Sequence, residues 1–175
     1  MRTAVIIGRF QPFHIGHLQA IKQIEKSFDK LIIILGTPVS KSDISLSNPL
    51  TTPERKKILK VSLKTIKIPW VLKVQRDVGV DYLWRNEIAK KIPKDSVVFS
   101  GNIHVLNVFK NHYKTFHIKK EVKIRAAFIR HWVKAGSDKW MAFVPKKIIP
   151  ILNKADLRGR LLNANKAGSK GFYRH

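Results

Sequence analysis

Apolar positions along this chain follow two periods in turn. Thr3–Gly8 and Leu31–Gly36 are short, nearly continuous apolar runs that end in Gly, the pattern of strands buried on both faces. Between them Leu18, Ile21, Ile24 and Phe28 recur at helical spacing, so the chain is predicted to open as strand, helix, strand. A second helix is predicted with Thr52 as its cap, Pro53 at the first helical position and Glu54 in the first turn. Its stripe is Ile58, Leu59, Leu63 and Ile66, and its stop is the Pro69 region. Val71–Val74, Val97–Ser100 and Thr115–Ile118 read as further strands, with helices over Tyr82–Lys91, Val105–Tyr113 and Ala126–Lys134. Strands alternating with helices predict an α/β fold, a doubly wound, mostly parallel Rossmann-like sheet with helices on both faces. Val144–Leu152 is split by Pro145 and Pro150, which predicts a helical turn or two. From Asn163 onward little can be buried, so residues 1–162 are expected to form the α/β domain and 163–175 a basic, flexible tail or partner-dependent arm.

Length changes this picture little: 175 residues suit one domain that hides roughly 70% of its unfolded surface. The absence of cysteine excludes a disulfide-built scaffold and thiolate zinc sites. No apolar run is long enough to span a bilayer and no leader peptide is evident, so a cytoplasmic protein without a membrane partner is expected. Charge changes it more. Residues 1–100 carry 18 basic and 8 acidic groups, whereas 101–175 carry 17 and 3, for a net charge of +24. Such a field attracts polyanions, whether nucleoside triphosphates, nucleic acid or a phosphate-rich surface, unless most of the lysine is simply solvated surface.

Chemistry concentrates in Gly8-Arg9-Phe10-Gln11-Pro12-Phe13-His14-Ile15-Gly16-His17, between the first strand and the first helix. Ligands of parallel sheets sit at such a crevice, and a helix beginning near Gly16 offers unpaired N–H groups to an anion. Gly16 has no side chain to hold a phosphate away from that backbone. His14 and His17, three apart, face one point in a tight turn entering a helix, and Arg9 adds a planar cationic fork. No Cys and no nearby Asp or Glu completes a metal set with the histidines, so no metal site is expected from them.

This segment resembles the phosphate-binding motif of the HxGH nucleotidyltransferase superfamily, in particular the archaeal type of nicotinamide mononucleotide adenylyltransferase. Asn48-Pro49-Leu50-Thr51-Thr52-Pro53-Glu54-Arg55 resembles that family's NPFTxGER segment, Ser100-Gly101-Asn102 its SGN, and Asp77 with Trp84 its nicotinamide-side residues. The resemblance runs from about Met1 to Leu152, and four motifs in order are far more specific than HxGH alone. It implies transfer of the adenylyl group of ATP to nicotinamide mononucleotide, giving NAD and pyrophosphate, with Mg2+ carried mainly on the ATP phosphates. His14, His17 and Arg9 would be catalytic. Gly8, Phe10 and Gly16 would join them in holding ATP, with Arg125 and Arg130. Asp77, Asp81, Trp84, Gly101 and Asn102 would hold the mononucleotide, Trp84 by stacking on the pyridinium. By periodicity alone Trp84 is also a candidate core aromatic. Family members are commonly homo-oligomers, so the same is expected here.

Two departures stand out. Asp81 replaces the family's Asn, and an ionised carboxylate accepts hydrogen bonds without donating any. In Ile124-Arg125-Ala126-Ala127-Phe128-Ile129-Arg130, aligned with the ISxTxxR signature, Arg125 and Ala127 replace Ser and Thr. Arg125 either substitutes as a bidentate phosphate clamp or fills the pyrophosphate site and leaves a catalytically weakened, nucleotide-binding fold. A second reading gives the basic C-terminal part a nucleic-acid partner. Lys119, Lys120, Lys123, Arg125, Arg130, Lys134, Lys146, Lys147, Arg158 and Arg160 are interleaved there with Phe128, Trp132 and Trp140. A third keeps the enzyme and changes the phosphorylated acceptor. The polar stretch Thr37–Ser47 is the candidate lid.

Overall fold

The computed structural model describes residues 1–38, 44–118 and 122–169, with side chains to residue 164. The middle of the candidate lid, residues 39–43, and Lys119 and Lys120 lie outside the described residues. The elements run β1 (Thr3–Gly8), α1 (Ile15–Ile24), β2 (Lys30–Thr37), α2 (Thr52–Ser62), β3 (Trp70–Arg76), α3 (Asp81–Ala89), β4 (Val97–Ser100), α4 (Ile103–Phe109), β5 (Lys114–His117), α5 (Ala126–Lys134), α6 (Ile149–Lys154) and α7 (Leu157–Ser169). They form two compact units, one of Met1–Arg9, His17–Lys41 and Thr65–Glu121, the other of Phe10–Gly16, Ser42–Lys64 and Val122–His175.

The first unit is built on one five-stranded sheet in the order β3-β2-β1-β4-β5, with every pairing parallel. β1 lies at its centre, Val5 opposite Ile32 on one side and Val98 on the other. Alternation sends Val5, Ile7, Ile32, Ile34 and Val98 to one face, where they pack with Ile88 of α3, Phe109 of α4 and Ile92. Ala4, Ile6, Leu31, Ile33 and Leu35 are buried on the other face. There Phe28, just past α1, meets Phe99 edge-on at 5.5 Å. Both faces are covered, which is why β1 and β2 read as unbroken apolar runs.

In the second unit α2 begins one residue earlier than its sequence suggests, because Thr51 is the cap and Thr52 already helical. Thr51 N–H donates to Glu54 Oε2 at 2.8 Å and Glu54 N–H to Thr51 Oγ1 at 3.4 Å, a capping box that Thr52 is in the wrong register to make. The helix closes at Ser62, well before Pro69, and the buried Ile66 belongs to the segment that follows. α5 spans the residues expected of it. It ends at Gly136, whose φ of +74° lets Ser137 N–H reach back to the Trp132 carbonyl at 3.0 Å. Two 3-10 segments follow, Asp138–Phe143 and Lys146–Ile148, the second leading into α6 as the proline-split sequence predicts. α7 continues through Asn163, where the sequence suggests unstructured chain, to Ser169. Leu157 and Leu161, four apart and both buried, supply the apolar stripe that holds its first turns.

Candidate functional site

In the first unit the chain builds outward from β1 to β2 and β3, then crosses back to place β4 on the other flank of β1. The reversal makes the carboxyl ends of β1 and β4 the expected ligand position of an open parallel sheet. Gly8 ends β1, opposite Leu35 of β2. Arg9 follows and is exposed; a Cβ on Gly36 would stand 3.7 Å from its Cγ, so that glycine leaves room for the arginine stem. His17 lies half-buried in the first turn of α1. At the end of β4 the buried Ser100 hydroxyl donates to the Ile7 carbonyl at 3.2 Å and accepts from Asn102 N–H at 3.2 Å. Asn102 caps α4, its Oδ1 accepting from His104 N–H at 3.0 Å. Gly101 and Asn102 are thus exposed but fixed by a short hydrogen-bonded chain running back to β1.

Asp77 leaves the end of β3 in a turn, its N–H on the Thr37 carbonyl at 2.8 Å and its Oδ1 accepting from Gly79 N–H at 2.9 Å. Asp81 opens α3 and pairs through Oδ1 with His104 Nε2 of α4 at 3.0 Å. Trp84 is half-buried and meets Phe109 edge-on at 5.8 Å, so it is at least a packing residue of the sheet core. One edge of its indole leans on the core while the residue keeps partial exposure.

The second unit holds the middle of the motif loop. Phe10 is buried in the left-handed region, φ +51°, where a bulky side chain is uncommon, and its ring lies 5.9 Å from that of Phe13. His14 and Gly16 are buried at the entry to α1. Gln11 is the hub of the loop: Nε2 donates to the Leu50 carbonyl at 2.9 Å and Oε1 accepts from Leu50 N–H at 3.0 Å. The Gln11 carbonyl accepts from Arg130 Nη1 at 2.7 Å, so Arg130 holds the loop whatever else it binds. Behind Leu50, Arg160 of α7 donates to the Pro49 carbonyl at 3.1 Å and forks onto Glu54 at 2.7 and 2.9 Å. Burial pushes the Glu54 carboxyl up, but its hydrogen bonds from Arg160 and Thr51 outweigh this and hold it below its ordinary 4.5. Arg125 occupies the cap position of α5, exposed, and makes no side-chain cap bond; Ala127 is exposed beside it. An arginine has no side-chain acceptor, so the first turn of α5 is left without the cap that Ser would supply.

In the first unit adjacent strand ends thus join Gly8, Arg9, Gly101 and Asn102, and Asp81 pairs with His104; in the second, Arg130 is bonded to Gln11. Among the described residues no group of three or more His, Asp or Glu is placed to hold a metal ion. No described helix is long and apolar enough to cross a membrane.

A five-stranded parallel sheet whose central strand ends in Gly8 and Arg9 at the switch point defines an α/β protein of Rossmann-like type. Residues 5–149 match the cytidylyltransferase-like family model, and the chain belongs to that family. Among its relatives is the nicotinamide-nucleotide adenylyltransferase of Methanococcus aeolicus, 30% identical over 93% of this chain and 94% of that one. Two solved structures of a bifunctional NMN adenylyltransferase/ADP ribose pyrophosphatase from Francisella tularensis share the fold. One, at 19% identity, has a TM-score of 0.75 over 97% of this chain. The other, complexed with AMP and a Mn ion, has 18% identity and a TM-score of 0.71 over 99%. The chain spans about half of those longer proteins, 54% and 57%.

Sequence reasoning misses the roles of Gln11 and His104, whose partners lie 39 and 23 residues away, and counts Arg160 with the basic residues offered to nucleic acid, whereas its guanidinium is committed to Glu54, 106 residues away. Arg55 stands out in the sequence only as part of a motif. It is fully buried on α2, its Nη2 donating to Thr52 Oγ1 at 3.1 Å. Its i, i+3 spacing from Thr52 is the signal that could have found it.

Proposed function

We propose that this chain is a nicotinamide-nucleotide adenylyltransferase. The 5′-phosphate oxygen of nicotinamide mononucleotide attacks the α-phosphorus of ATP, the bond to the β-phosphate oxygen breaks, and NAD and pyrophosphate leave. The observation that carries this reading is the placement of Gly8, Arg9, Gly101 and Asn102 where the strand order reverses, in a chain similar over its length to an enzyme of that name. A phosphomonoester is largely dianionic at neutral pH, its second pKa being about 6, so the nucleophile needs no general base. The work left to the protein is positioning and neutralising charge.

In this reading Arg9, His14 and His17 donate to the triphosphate, and Gly8, Phe10 and Gly16 shape the backbone against it. Arg125 and Arg130 contribute cations, Arg125 in place of two hydroxyls. Trp84 offers its indole to the pyridinium, a cation–π contact, while Asp77, Asp81, Gly101 and Asn102 surround the nucleoside. Asp81 accepts from a carboxamide NH2, which favours the amide over the acid form of the substrate. Magnesium would spread the triphosphate charge when bound, and a site whose triphosphate side is given to Arg9, His14, His17, Arg125 and Arg130 suits an ion that arrives on its own phosphate ligands. A cytoplasmic location is part of the same proposal. Assembly into homo-oligomers is part of the same proposal and is read by light scattering.

The test is NAD formation from ATP, Mg2+ and nicotinamide mononucleotide by the natural protein, His17→Ala, and the double variant Arg125→Ser, Ala127→Thr. Expected are activity in the natural protein, a loss of about 100-fold or more in His17→Ala with the fold intact, and a changed KM for ATP in the double variant. Undiminished activity in His17→Ala would remove the proposed site. Activity only in the double variant would make Arg125 an inhibitor of the pyrophosphate subsite.

A further inference from the structure

The second unit carries an aromatic row whose outer end, Phe128, its core does not use. Trp140 is buried at 6% exposure and belongs to the core, but Phe128 is 51% exposed. The Phe128 ring stacks on Trp132 at 6.4 Å and 27°, and Trp132 leans on Phe143 of the 3-10 segment at 5.1 Å and 32°. The buried side of α5 is supplied by Ile129 and Val133, whereas Phe128 lies on its exposed side and Trp132 is half-buried between. His131 stands three residues past Phe128 and shares its face. Residues 122–148 hold seven Lys and Arg against a single carboxylate, Asp138.

We propose that this face binds single-stranded nucleic acid, a base stacking on the outer side of Phe128 while the lysines of the same stretch follow the phosphates. A flat π-face among cations, with one acid nearby, matches a strand that presents bases and phosphates in alternation. A second copy of the chain fits this face worse, because two such faces, each with seven Lys and Arg against one carboxylate, repel. A membrane surface asks for an apolar helix side, and α5 has committed its own to the core.

The test titrates a labelled oligothymidylate of about 12 nucleotides with the full chain, saturating ATP and Mg2+ being present throughout to fill the nucleotide site. Saturable binding that weakens linearly on a log–log plot against salt is expected. Phe128→Ala is expected to weaken it about tenfold and Phe128→Trp to restore it, and Lys139→Gln to lower the salt slope by about one. Phe128 is not among the residues assigned to ATP or the mononucleotide, so NAD formation is expected to stay unchanged in Phe128→Ala and reports that the variant is folded. Binding indifferent to Phe128→Ala would overturn the proposal, as would no binding at all. So would Phe128-dependent capture by vesicles of phosphatidylcholine and phosphatidylglycerol without oligonucleotide binding. A Phe128→Ala variant that lowers the mass in light scattering would assign the row to contacts between copies instead.

Discussion

Gln11 turns both ends of its amide toward one residue, Leu50, and its carbonyl toward Arg130. The side chain is 3% exposed, so replacing it leaves a buried N–H and a buried C=O of Leu50 without that partner. Such orphaned groups cost about 1–3 kcal/mol. Gln11→Ala is therefore expected to lower the urea midpoint and to raise KM for ATP, since the loop it holds contains His14. An unchanged KM with lowered stability would confine Gln11 to a structural role. Trp84 shows the opposite case. Its spacing is compatible with core packing and with stacking on a ligand, and its half-buried position edge-on to Phe109 accommodates both. Asp81 is legible as a departure from its family, but its pairing with His104 is not, because nothing local links positions 23 apart.

Secondary structure elements are legible where a periodic stripe and a stop signal coincide, as in α5, and less so where a cap has to be placed to the residue. The α2 cap depends on which threonine reaches Glu54, and side-chain geometry chooses Thr51. Glu54 then serves two elements, capping α2 and receiving the Arg160 fork from α7. Thr51→Ala is expected to cost about 1 kcal/mol in chemical unfolding. Because Glu54 is held below its ordinary 4.5, its contribution to stability is present above that value and is lost as pH falls through the lower folded value. Glu54→Gln is therefore expected to flatten the acid limb of a stability–pH profile while keeping the cap. An acid limb unchanged in the variant would dismiss the Arg160 pairing as a stabilising contact. α7 is harder to read along the chain, since Asn, Ala, Gly and Ser near its end hide the Leu157–Leu161 stripe at its start.

The property that most sets the behaviour of the whole molecule is its net charge of +24. Self-repulsion of this size is screened within about 10 Å at 0.1 M salt. Raising sodium chloride from low concentration is therefore expected to raise Tm, and pyrophosphate to raise it further at equal ionic strength by binding the folded state. A Tm that falls with salt would mean that pairs such as Arg160–Glu54 outweigh the repulsion. Fold class, strand positions and the motif loop are already determined along the chain, because hydrophobic period, glycine and proline act over a few residues and report themselves locally. The tertiary structure decides which distant groups meet: Gln11 with Leu50, Arg160 with Glu54, Asp81 with His104, and which aromatic of the basic region remains exposed. Such pairings exist only once the chain closes on itself, since each is a contact between segments whose own sequences express no preference for one another.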